Sequence, residues 1–136
     1  MKRESGFTVM ELGITLFILL TLLAFATPTI LQMMATYNLH SAAHEVATDM
    51  WNARLLAANQ NTTFRIDFTS GSYQIVRVSD NSVFKTVNLA DYHVGTTNGS
   101  ITFNSRGTSS SGSFVLNNNF QTKTINVNSL GRAKIS

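Results

Sequence analysis

The apolar and polar positions of this chain change rhythm twice. Between positions 12 and 31 no residue is charged. As a helix those twenty positions cover about 30 Å, the thickness of a bilayer hydrocarbon core. Pro28 lies inside this run, where it removes one hydrogen bond and is tolerated, so the helix is expected to continue past it. Farther on, Leu39, Ala42, Val46, Met50, Ala53 and Ala57 recur at spacings of three and four. That rhythm predicts one apolar stripe of an amphipathic helix running to about position 59. His40, His44, Asp49 and Asn52 are read onto its polar side. Asn59-Gln60-Asn61-Thr62 reads as the stop.

From position 63 the rhythm becomes alternating. Phe64, Ile66 and Phe68 share one face, and Arg65 and Asp67 the other. Ser70-Gly71-Ser72 reads as a turn leading into a strand at 73–78, which makes a hairpin. Asp80-Asn81 marks another turn before a strand at 83–87. Further strands are expected at 100–103, 113–116, 122–127 and 132–135. The loop 105–112, rich in serine and glycine, is expected to be flexible. The fold class is therefore α+β, a long N-terminal helix packed on an antiparallel β-sheet. Short strands do not bury both faces of one sheet, and the helical stripe supplies the missing cover.

Composition sharpens this reading in three ways. At 136 residues the chain supports one modest globular domain besides the apolar segment. It has no cysteine, which excludes disulfides and thiol chemistry. The formal net charge is +3, and after Asp91 there is no acid at all, while Arg106, Lys123, Arg132 and Lys134 remain. Met50, Trp51 and Leu55 read as packing residues. His40 and His44 stand four apart on one helical face, but no third ligand accompanies them at suggestive spacing, so no metal site is assigned. The chain offers no nucleophile–base–acid set, no glycine-rich phosphate loop and no paired carboxylates placed for hydrolysis. No catalytic residue and no cofactor are assigned, and the reading is of a non-enzyme.

Glu11 is the exception at the head of the apolar run. An ionised side chain at the centre of a bilayer costs about 2.5–3.5 kcal/mol or more, so such an acid implies a cationic partner. The segment Gly6-Phe7-Thr8-Val9-Met10-Glu11, with Lys2 and Arg3 before it and Pro28 in the apolar helix after it, resembles the class III signal of type IV pilins and pseudopilins. The second half is similar to the GspH/FimT group of minor pilins and pseudopilins. That likeness lies in Trp51-Asn52-Ala53-Arg54, the strand 63–68, Phe103-Asn104-Ser105-Arg106-Gly107 and the ending Gly131-Arg132-Ala133-Lys134.

The resemblance implies a pilin lollipop. Residues 1–6 would be a leader removed by a prepilin peptidase that cuts between Gly6 and Phe7 and methylates the Phe7 amine. Residues 7–31 would be the transmembrane and assembly helix, 32–60 its amphipathic continuation and 61–136 the β-rich domain. The precursor would sit in the bacterial inner membrane with its domain in the periplasm, and then join a type IV pilus or type II secretion filament at or near the tip. Glu11 would pair with the Phe7 amine of a neighbouring subunit. Other pilin or pseudopilin subunits would be its partners. Some members contact DNA during uptake through a basic Gly-Arg-x-Arg ending, which implies Arg132 and Lys134 as DNA contacts here, helped by Lys123 and Arg106. In this chain lysine occupies the last basic place and lacks the planar fork of arginine.

A second reading remains open. Lys2 and Arg3, an apolar core at 12–23 and Ala24-Phe25-Ala26 also fit a secretory signal peptide. Cleavage after Ala26 would release a binding module that begins at Thr27.

Overall fold

The computed structural model describes residues 6–136. One helix, α1 (Val9–Asn59), runs unbroken through Pro28. It is followed by eight strands: β1 (Phe64–Thr69), β2 (Ser72–Arg77), β3 (Ser82–Asn88), β4 (Gly95–Thr96), β5 (Gly99–Phe103), β6 (Gly112–Asn117), β7 (Thr122–Val127) and β8 (Ala133–Ile135). A one-turn 3-10 helix, Leu89–Tyr92, stands between β3 and β4. The chain divides into two units, the second beginning at Ala35.

In the first unit every helical residue but the half-buried Thr21 is exposed, as its apolar composition allows only in a non-aqueous setting or a bundle. In the second unit, Leu39, Ala42, Val46, Met50, Ala53 and Ala57 are all buried, which is the expected stripe. The helix stops where the asparagine-rich cluster falls. Asn61 is left-handed (φ 49°), with Thr62 N–H bonded to the Ala57 carbonyl at 3.1 Å and Asn61 N–H to Ala58 at 3.4 Å. This is the pairing of a Schellman cap, with asparagine in the place glycine usually holds.

The strands form two four-stranded sheets rather than the one expected. Their orders are β3-β2-β1-β5 and β4-β6-β7-β8, with every pairing antiparallel. In the first sheet Ile66 lies opposite both Ile75 and Ile101. Their common face is buried together with Phe64, Phe68, Tyr73 and Phe103. In the second, Phe114 lies opposite Ile125. The Phe68 and Phe114 rings, 4.3 Å apart, join the two sheets into a single core. Each such side chain contributes about 1.5–3 kcal/mol on burial.

Loop 105–112 is tied down where flexibility was expected. The Asn104 side chain accepts from the N–H groups of Arg106 (3.1 Å) and Thr108 (3.2 Å), and Ser109 bonds to the Ser129 and Asn128 carbonyls. Gly107 and Gly131, with φ of 74° and 72°, meet behind it. A Cβ on Gly131 would come within 2.8 Å of the Gly107 carbonyl oxygen. Arg54 of α1 donates from Nε to that same oxygen at 2.8 Å. Two loops and the helix therefore close on one carbonyl, which only a glycine at 131 leaves accessible. Trp51 is not a core residue: it is 53% exposed, with the Arg54 guanidinium 5.4 Å from its ring centroid. Leu55 is exposed as well. Both lie a step off the buried stripe, so residue type suggested packing that their angular position denies.

Candidate functional site

The first turn of α1 carries the acid singled out above. Gly6, Phe7 and Thr8 precede the helix and are exposed. The Thr8 hydroxyl oxygen accepts from Glu11 N–H at 3.2 Å, which satisfies one of the orphan donors of the turn. Glu11 thereby sits three residues after an N-cap, where the helix dipole favours an anion. Among the described residues its carboxylate makes no ion pair. The Thr15 hydroxyl bonds instead to the backbone carbonyls of Glu11 and Leu12. Glu11 stands at the head of a helix apolar enough to cross a membrane, whose most apolar stretch is not buried at all within the chain. Apart from Gly6, the expected leader lies outside the described residues.

A second cluster departs from what residue type alone predicts. Asp49 was assigned to the polar side of the helix, but it is only 4% exposed and faces the sheet. Its carboxylate accepts from the Tyr73 hydroxyl at 2.6 Å and from Lys85 Nζ at 2.6 Å. Glu45, one turn earlier, accepts from the Tyr92 hydroxyl at 2.9 Å and lies 3.6 Å from Lys85. The signal was present in the spacing. Asp49 falls three residues after Val46 and four before Ala53, on the stripe itself, and residue type alone argued for solvent. Burial first, and then the hydrogen bond to Asp49, push the Tyr73 phenol well above its usual range. The bond to Asp49 foremost raises Lys85 as well. These groups are structural: they lock α1 onto β2, β3 and the 3-10 helix.

The four cations proposed for nucleic acid do not form one group. Arg132 and Lys134 line a shared concave surface of about 410 Å³ with Asn126, Val127, Asn128 and Ala133. The Asn128 side chain holds the approach to β8 by accepting from Arg132 N–H at 2.9 Å. Arg106 is exposed on the loop whose Gly107 packs against Gly131. Lys123 stands apart. It alternates in phase with the buried Ile125 and Val127, whereas Lys134 pairs with Asn126 on the other face of the sheet. It is half-buried beside the turn between β6 and β7. His40 and His44 are exposed on α1.

A sequence model of the family described as Type II transport protein GspH matches residues 42–131. The chain belongs to the GspH family. That match spans the last third of α1, strands β1 to β7 and the Gly107–Gly131 contact. Two solved structures share the fold, both crystal structures of the type IV minor pilin FimU of Pseudomonas aeruginosa strain PAO1. The crystal in space group P21 superposes with a TM-score of 0.62 at 16% identity, covering 74% of this chain and 90% of that one. The crystal in P65 gives 0.58 at 16% identity, covering 71% and 91%. No curated protein matches the chain. The GspH-family chain thus shares the fold of the type IV minor pilin FimU, a long helix packed on antiparallel sheets.

The buried cluster predicts an alkaline limit to stability. Below a pH of about 10 the Tyr73 phenol is neutral in both folded and unfolded chains. Above it the unfolded chain ionises while the folded one holds its proton, which costs about 1.4 kcal/mol per pH unit. Lys85, also raised, acts in the same direction. Thermal melts of the full chain in nonionic detergent from about pH 8 to pH 11 should fall more steeply for wild type than for Tyr73→Phe. Parallel curves would contradict the assignment.

Proposed function

We propose that this GspH-family chain is a structural subunit of a type IV pilus or type II secretion filament and acts where assembly begins, at or near the tip. It is made as a precursor in the inner membrane with its β-rich unit in the periplasm. A prepilin peptidase cuts between Gly6 and Phe7 and methylates the Phe7 amine. Residues 7–31 anchor the subunit and then pack among the helices of neighbouring subunits. Residues 32–60 and 61–136 form the displayed part. The role requires no catalytic step.

The observation that carries this reading is Glu11. It is an exposed carboxylate without an ion pair among the described residues, at the head of an unburied apolar helix. In lipid such a group is costly alone and strongly attracted to a cation. The Phe7 amine of a neighbouring subunit supplies that cation, and the pair sets axial register because only one stagger joins the two charges. Glu11→Ala is therefore expected to enter the membrane normally and to be scarce in sheared filaments by immunoblot. Incorporation equal to wild type would contradict the register role.

The concavity shared by Arg132 and Lys134 favours a second role, contact with DNA. Two cations flanked by the Asn126 and Asn128 amides suit phosphate oxygens, with Arg106 on the neighbouring loop and Lys123 at a distance on the same sheet. So few phosphate contacts give weak binding that falls with salt. The full chain in nonionic detergent is expected to retain duplex DNA at low salt and release it as salt rises, and the double variant R132A/K134A is expected to lose that retention. Binding indifferent to the double change would remove DNA from the account.

A further inference from the structure

The turn between β6 and β7, residues 118–121, is shaped and tethered by one side chain. Asn118 Oδ1 accepts from the N–H groups of Phe120 (3.0 Å) and Gln121 (2.8 Å), and Asn118 N–H donates to the Gln121 carbonyl at 3.0 Å. The other end of the same amide, Nδ2, donates to the Ala35 carbonyl of α1 at 2.8 Å. Asparagine serves both ends because it carries an acceptor and a donor, where aspartate would offer acceptors alone. Phe120 is the one apolar residue of the turn, and it is 54% exposed rather than turned into the core.

The tether decides what an exposed ring at this place meets. Gln32 closes the apolar run, whose last residue, Leu31, lies four residues before Ala35. Four residues cover about 6 Å as helix and reach at most about 14 Å in any conformation. The polar layer on each side of a bilayer core is about 5–8 Å deep. A turn held at Ala35 is therefore within reach of the headgroup level of whatever membrane the run crosses. Tyr37, two residues past the tether, is exposed as well. Lys123 gives the same hairpin end positive charge, and no acid follows Asp91 in the chain. Aromatic rings and basic side chains are the residue types that membrane interfaces collect.

We propose that the 118–121 turn is a membrane-surface contact. Phe120 enters the interfacial layer of the same bilayer that α1 crosses, and so holds the globular unit against the membrane until the subunit is drawn into a filament. The inference rests on the membrane-anchored reading of residues 7–31, and the test separates the two.

Trp51 is the single tryptophan of the chain, so Trp51→Phe provides a background without indole emission. Into the full-length protein with that change, one tryptophan at a time is introduced by Phe17→Trp, Phe120→Trp or Phe84→Trp. Each variant is reconstituted in vesicles of phosphatidylethanolamine and phosphatidylglycerol containing lipids brominated along their acyl chains. Phe84 is the distant control. It shares a groove with Leu55 and Asn59, and Leu55 is about 30 Å along α1 from Ala35. The expected result is loss of emission to bromine deep in the chains for F17W. F120W should lose emission to shallow bromine and shift to shorter wavelength, while F84W should do neither. Deep quenching of F17W with F120W behaving like F84W would overturn the contact and leave the anchor standing. An unquenched F17W would overturn the anchor and the contact with it.

Discussion

Neither four-stranded sheet covers its own apolar face, and everything in the second unit depends on the stretch of α1 that does. Helix positions 39–57 supply the apolar stripe, and each polar tie from the sheets and loops lands on or next to it. Asn118 bonds to Ala35, Tyr92 to Glu45, Tyr73 and Lys85 to Asp49, Arg54 to Gly107, and Arg77 to Gln60 at the end of the helix. The stripe supplies the burial and the ties supply the register. Apolar contacts tolerate a helix that slips by a turn, whereas a buried carboxylate that must meet both a phenol and an ammonium does not. Asp49 is for that reason the polar residue that belongs in the core.

Much of this architecture was legible in the chain. The change from helical to alternating rhythm near position 63 and the strands around Phe64, Tyr73, Val83 and Ile125 follow from periodicity alone, because one face of each element is buried. Periodicity did not reveal the division into two sheets, since strand order depends on contacts between distant segments. It also missed the short strand Gly95–Thr96 and the 3-10 helix, which are too brief to carry a rhythm. Asp49 was lost because residue type outweighed its place on the stripe, and Trp51 and Leu55 were lost for the converse reason.

The candidate sites divide in the same way. Glu11 stands out in sequence because a charge interrupts an apolar run, and the fold adds only its cap and the lack of an ion pair among the described residues. Arg132 and Lys134 come together as alternate residues entering one edge strand, as their spacing suggests. Lys123 falls on the opposite face of that sheet, which a single count of alternation from Ile125 discloses. The approach of Arg106 to the same region runs through the Gly107–Gly131 contact, a pairing across 24 residues that no local pattern signals.

A chain built this way serves two surroundings, with an apolar segment that finds no cover within its own fold and a globular unit that is complete once its helix is in place. That division suits a subunit held first by a membrane and later by its neighbours, and it requires that the apolar segment stay on the mature protein. Intact-mass and N-terminal peptide analysis of the protein purified from bacterial membranes tests this most directly. The account predicts a chain that begins at Phe7 with a methylated amine. A chain that begins at Thr27, or one that keeps residues 1–6 in cells with an active prepilin peptidase, would contradict it.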